Sequence, residues 1–401
     1  MSIKKYSILI GAFFVTGIIL SSCTFLRATF LESPNTKDSK YFPSYPLSPM
    51  LYTGKWVCDN LKCDFLIDTV TFLVKENINS DFYRTNEVLE GEDSLANQAD
   101  NLINLDDFFK KTETTAFLVI ENGKIIYEKY YDKHQVSDAF QVFSISKSLV
   151  ALTLGIAIDE GFIDSIYDSV KKYTPEIDTS LYGMRLIDLL DMRTGIKNSF
   201  ILTTKLYYGN NIRSISDKVK YDEAIGSKFE YSNWATQQLM FVIEAATKQA
   251  FPEYFKEHLW DKLHPEYAGA WSLDSEKDSN ARAFGGLSIS ARDLATVGLL
   301  MLNEGKLGDQ QVISPEWIKE TFTLHYYDVS AFSLKGNDYP YNMNWRIIKN
   351  REKICAIGFL GQYLYINKTD NRIIIRFGNK NGKVDWIDFM MSLRSVIKSA
   401  P

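Results

Sequence analysis

The stretch from Thr115 to Tyr131, TAFLVIENGKIIYEKYY, sets the first limit on the fold. Two β-rich runs flank Glu121-Asn122-Gly123-Lys124. Asn-Gly tolerates the positive φ angles of a tight turn, so the stretch predicts a β-hairpin. The pattern returns only near the end of the chain. WRIIKN, KICAIGF, QYLYINK and RIIIRFG alternate like antiparallel strands, with Lys368-Thr369-Asp370-Asn371 as a turn. Between these blocks helical spacing dominates to about residue 325. Ser146 to Gly161 carries Leu149, Val150, Leu152, Leu154, Ile156 and Ile158, with Gly161 as its stop. RLIDLLDMRTGI, NWATQQLMFVIEAATKQ and ARDLATVGLLMLNEG follow as helices. NLINLDDFFKK precedes the hairpin with helical spacing, and WIDFMMSLRSVIKS closes the chain as an amphipathic helix. Strands, then helices, then strands and a helix is neither a βαβ repeat nor a solenoid.

The N-terminus, MSIKKYSILIGAFFVTGIILSSCTF, reads as an export signal. Lys4 and Lys5 form the charged region and Tyr6–Leu20 the apolar one, shorter than the roughly 20 residues of a membrane span. Leu20-Ser21-Ser22-Cys23 resembles a bacterial lipobox, with Cys23 as the lipidated residue. Residues 1–22 are therefore expected to be a lipoprotein signal, and the chain to be anchored by lipid in a bacterial cell envelope. Residues 23–85, with ESPNTKDSKYFPSYPLSP, read as a tether and irregular extension, and 86–401 as the folded domain. Net charge is −5 without a basic block, which points away from nucleic acid. Cys58 and Cys63 can pair in an oxidising compartment, leaving Cys355 unpaired and buried. None of the four histidines has a metal-ligand spacing, so neither metal nor cofactor is expected.

No G-x-S-x-G elbow occurs; GGLSIS lacks the last glycine. The remaining serine-hydrolase signal is S-x-x-K, because a lysine one helical turn after a serine can reach its hydroxyl and, when neutral, accept its proton. Four such spacings occur: Ser2/Lys5, Ser144/Lys147, Ser169/Lys172 and Ser395/Lys398. Only Ser144 follows an extended apolar piece and opens a long apolar helix. Ser144 is the nucleophile candidate and Lys147 its partner; Ser146 and Ser148 have no lysine three residues on. A free lysine near about pKa 10.4 is charged at neutral pH, so a second group is needed. Three Y-x-N patterns exist, at Tyr208, Tyr231 and Tyr365. Tyr365 lies in a predicted strand and Tyr208 in the YYGNN loop, where it can line a pocket. Tyr231, in KFEYSNWATQQL, lies in a loop entering a helix and is the best platform for an exposed phenol.

SISK, LIDLLDMRTGI, FEYSN, AFGGLSISARDLATVGLLML and AIGFLGQYLYINK together resemble the serine β-lactamase-like superfamily, in its branch of class C-like esterases and 6-aminohexanoate-dimer hydrolases. The resemblance spans roughly residues 100 to 400. It implies an α/β (α+β) fold: an antiparallel sheet flanked by N- and C-terminal helices, plus a mainly helical subdomain. It implies Ser144 as acylated nucleophile, Lys147 as proton acceptor, Tyr231 as base and acid, and Asn233 as an orienting residue. The family's K-T-G motif falls at Ala356-Ile357-Gly358-Phe359. The N–H groups of Ser144 and Phe359 would then form the oxyanion hole. Penicillin-recognising members use the lysine or histidine opening that motif to hold a carboxylate, and Ala356 removes it. Gly358, Gly361 and Gln362 complete the expected support, Gly361 as a turn and Gln362 as a polar rim.

The function expected is hydrolysis of an ester or amide in a small or peptide-like substrate. One alternative is a penicillin-recognising D,D-peptidase or β-lactamase; another is a non-catalytic lipoprotein on the same scaffold.

Overall fold

The computed structural model describes residues 71–73, 105–209, 211–219, 223–275, 278–326, 333–334, 337–348, 352–382 and 384–396. Cys23, Cys58, Cys63, the signal and nearly all of the expected tether lie outside the described residues.

The hairpin forms as expected. Strand β1 (Thr114–Glu121) turns at Asn122 and Gly123, with φ of 51° and 75°, into β2 (Lys124–Tyr130). The C-terminal strands are β3 (Tyr341–Asn342), β4 (Trp345–Ile348), β5 (Lys353–Gly358), β6 (Gln362–Asn367) and β7 (Arg372–Gly378). All seven join one antiparallel sheet in the order β3-β4-β5-β6-β7-β1-β2. The two ends of the domain thus meet where β7 pairs with β1, Ile374 facing Val119.

Side chains of a strand alternate between faces, and both faces of this sheet are covered. Ile373, Ile375 and Phe377 enter the larger core, and Ile374 the smaller. The smaller core is closed by α1 (Leu105–Lys111) and α8 (Trp386–Ser392), through Phe108, Phe109, Trp386 and Phe389. The larger is closed by α2 (Ile145–Asp159), α5 (Asn233–Thr247) and α6 (Ala291–Leu302). Residues Ile145–Ala157 are buried all round the helix, which is why α2 shows little amphipathicity. Around these lie α3 (Leu186–Leu190), α4 (Phe200–Tyr208) and α7 (Pro315–Phe322).

Three expectations are corrected. The last helix stops at Ser392, and Arg394–Val396 pair as a strand with Thr71–Leu73, inside the extension read as irregular. Arg372 Nη1 donates to the Leu393 carbonyl at 2.7 Å, satisfying a group the helix leaves unpaired as the chain turns into the strand. The helical middle also contains a small sheet, Phe140–Gln141, Leu287–Ile289 and Ala270–Trp271, with the second strand central. Its members are too short for periodicity to reveal. Tyr208, expected in a loop, ends α4.

Candidate active site

The small sheet delivers the chain to Ser144. Val142 N–H donates to the Leu287 carbonyl at 3.0 Å, and the backbone then bends at Phe143, whose φ is 47°. A bulky residue in the left-handed region is strained, and such strain persists only where the surroundings impose it. The bend places Ser144 as the N-cap of α2, half-buried rather than sealed. The neighbouring serines face other ways. Ser146 Oγ accepts from Leu287 N–H at 3.3 Å, and Ser148 Oγ donates to the Asn344 carbonyl at 2.7 Å.

One turn along α2, Lys147 is fully buried. Its Nζ donates to Ser144 Oγ at 2.9 Å and to the Phe284 carbonyl at 2.6 Å. Burial pushes this amine below the usual lysine value, against the opposing pull of the Tyr231 phenol, which acts as both charge and hydrogen-bond partner. The Lys147 ammonium lies 5.0 Å from the centre of the Tyr231 ring. Tyr231 is half-buried, just ahead of α5, whose N-cap Ser232 accepts from Ala235 N–H. Met192 grips the backbone on both sides: Glu230 N–H donates to its carbonyl at 2.8 Å and Ser232 N–H to its sulfur at 3.3 Å. Asn233 is the first residue of α5 and is buried.

The third part of the site comes from β5. Gly358, its last residue, lies so close to Val142 that a Cβ there would collide with the Val142 carbonyl oxygen. The Phe359 ring meets Phe143 edge-on, centroids 5.7 Å apart, and is 68% exposed, so it stands at the rim. The Phe359 peptide is thereby held beside the residues leading into Ser144. Among the described residues, neither the Ser144 nor the Phe359 N–H donates to a backbone carbonyl. The turn runs through Leu360 and Gly361, with φ of 64° and 86°. Gln362 is not at the rim as expected; it is buried. Its amide donates to the Phe359 and Gly378 carbonyls at 3.1 and 2.7 Å, bracing the turn from beneath. Arg376, also buried, adds a hydrogen bond to the Gly361 carbonyl.

The structure thus brings Ser144, Lys147 and Tyr231 together and sets the Phe359 ring against Phe143, the residue before Ser144. Tyr208 stays peripheral, 39% exposed. Its neighbour Tyr207 was missed: its ring packs edge-on against Phe284 at 4.8 Å, and a Cβ on Gly285 would meet its hydroxyl at 2.8 Å. Two aromatic residues in succession gave the sequence no means of choosing between them. Tyr341 and Arg346, behind Tyr231, were also missed, since no local pattern links them to it. Tyr365 is buried within β6. Among the described residues, no three or more His, Cys, Asp or Glu side chains converge to hold a metal ion.

The Beta-lactamase family model matches residues 105–388. The chain belongs to that family. This family is one of hydrolases, and the fold is that of its β-lactamase-like and penicillin-binding members. The 6-aminohexanoate-dimer hydrolase of Paenarthrobacter ureafaciens is 27% identical over 302 residues, covering 70% of this chain and 76% of the relative. Among solved structures, a Bacillus anthracis protein provisionally named a 6-aminohexanoate-dimer hydrolase superposes with a TM-score of 0.64 at 19% identity, covering 84% of this chain and 95% of its own. The octameric penicillin-binding protein homologue of Pyrococcus abyssi gives 0.57 at 16%, covering 71% and 74%. At such identities these two likenesses bear on the fold alone.

Proposed function

We propose that this protein is an exported serine hydrolase that cleaves an ester or amide through an acyl-enzyme on Ser144. The observation that carries this reading is a buried lysine amine 2.9 Å from a half-buried serine hydroxyl. In the first step Ser144 Oγ attacks the carbonyl carbon and its proton passes to the Lys147–Tyr231 pair. The oxyanion so formed accepts from the Ser144 and Phe359 N–H groups; losing one such donor typically costs about 3–4 kcal/mol of barrier. The carbonyl reforms, the bond to the leaving alcohol or amine breaks, and the pair returns the proton to that group. Water then attacks the acyl carbon, giving its proton to the same pair, and Ser144 departs with it. Asn233 is the orienting residue on α5.

Ala356, in place of the family's cation, favours substrates without a carboxylate at that point. The similarity to a relative named for hydrolysis of the 6-aminohexanoate dimer supports linear amides beside esters. Lipid attachment at Cys23 would tether the enzyme to the envelope, facing the periplasm or exterior; radiolabelled palmitate incorporated by the native chain and absent from Cys23→Ala tests it.

The deciding experiment compares native protein with Ser144→Ala on p-nitrophenyl esters, linear amides and a chromogenic cephalosporin. Ester hydrolysis that vanishes in the variant, with little cephalosporin turnover, is the expected result. Equal ester turnover in both proteins would defeat the reading. Stoichiometric labelling of Ser144 by a fluorescent penicillin would move it to the D,D-peptidase alternative.

A further inference from the structure

Tyr231 stands between a buried amine and a buried guanidinium. On one side is Lys147. On the other Tyr341 meets its ring edge-on at 5.9 Å, and the Arg346 guanidinium lies over the far ring, 4.7 Å from the Tyr341 centroid. These two separations bound the reach from guanidinium to phenol. Arg346 is almost fully buried and aimed by structure: Nη1 donates to the Tyr339 carbonyl at 3.3 Å, and Phe229, two residues before Tyr231, lies 5.6 Å from its Cζ. Its strand partner is Cys355, which directly precedes Ala356. The Tyr341 hydroxyl is fixed on Asn344 Oδ1 at 3.2 Å.

Resting on the acyl-enzyme reading, we infer that Arg346 is a positioning residue for proton transfer: through Tyr341, its charge holds the Lys147–Tyr231 pair in the form that has released one proton. The charges around the phenol support that sign. The titratable side chains around Tyr231 are Lys147, Tyr207, Tyr341 and Arg346. Burial keeps the Tyr207 and Tyr341 phenols in their neutral form; it lowers Arg346 as well, but a guanidinium starts so high that it stays the charged neighbour on this side. Of the carboxylates, Glu230 accepts from Asn198 N–H at 3.4 Å, and Asp191, which acts on Tyr341, is engaged by His325 at 2.7 Å. A cation in a water-poor surround offsets negative charge that proton transfer leaves on its far side.

The test is the pH dependence of kcat/KM for p-nitrophenyl butyrate, using full-length protein. Arg346→Met removes the charge at similar volume; Arg346→Lys keeps it. The acid limb should move up by about one pH unit in R346M and stay near native in R346K. Arg346→Gln substitutes for the methionine variant should that one lose the native near-ultraviolet circular dichroism. A folded, neutral variant with an unmoved limb overturns the inference, even if its rate falls uniformly, because that pattern marks a merely structural residue. Ester hydrolysis that survives Ser144→Ala defeats the underlying reading instead, and this inference falls with it.

Discussion

Two S-x-x-K spacings lie within the described fold, and their lysines face opposite surroundings. Lys147 is fully buried among a serine hydroxyl, a carbonyl and a phenol, and burial lowers its pKa. Lys172 is exposed, hydrogen-bonded to Asp164 and to Asp168, at 2.8 Å from the latter, and those carboxylates raise its pKa. The serines differ likewise. Ser144 is half-buried with its hydroxyl on the Lys147 amine, whereas Ser169 Oγ donates to the Tyr182 carbonyl at 2.9 Å. Identical spacing thus puts one amine where burial favours its neutral form and the other where carboxylates hold its charge.

That contrast can be broken most sharply at the lysines. Lys147→Met should lower ester hydrolysis by about a thousandfold or more, while Lys172→Met leaves the rate within about twofold of native; parallel steady-state assays of the two variants check this. Tyr231→Phe should cost about a hundred- to ten-thousandfold, mostly in kcat, with the fold retained by circular dichroism. Gly358→Ala tests the partner strand: the collision with Val142 should push the Phe359 peptide away from Ser144, lowering kcat roughly a hundredfold, as for loss of one oxyanion donor. A native rate in that variant would remove Phe359 from the proposed site.

The smallest effect concerns stability. His325 Nδ1 is 2.7 Å from Asp191 and Nε2 is 2.8 Å from Glu320. Burial pulls its pKa down, but the two carboxylates outweigh that and raise it. Burial raises Asp191 too, so its charge costs part of what His325 returns, but a carboxylate at each ring nitrogen of His325 leaves a net gain. The stabilisation is fully present below the ordinary histidine value of about 6.5 and fades as pH rises through the raised folded value. His325→Gln should therefore cost about 1–3 kcal/mol near pH 6 and less above pH 8, measured by urea unfolding.

Much of this was legible in the residues. Asn-Gly fixed the hairpin, the alternation of RIIIRFG matched β7 end to end, and the apolar run after Ser144 singled it out among four spacings. What stayed hidden depends on distant partners. The Phe284 carbonyl that seats Lys147 has no side-chain signature. Tyr207 replaces Tyr208 beside Phe284 through the rotation of α4, which a YY pair does not reveal. Gln362, expected as a polar rim residue at the head of its strand, instead turns its amide inward to the Phe359 and Gly378 carbonyls beneath the turn. The final helix gave way to a strand because a distant segment offered its backbone a partner.

The closure of β7 onto β1 has a consequence for biosynthesis. A ribosome makes Ser144, Lys147 and Tyr231 well before the segment that carries Phe359 and the strand that completes the sheet. Contacts so far apart in the chain form late, so a nascent or prematurely ended product lacks a finished cleft. The cleft is therefore complete only once the last strands have paired.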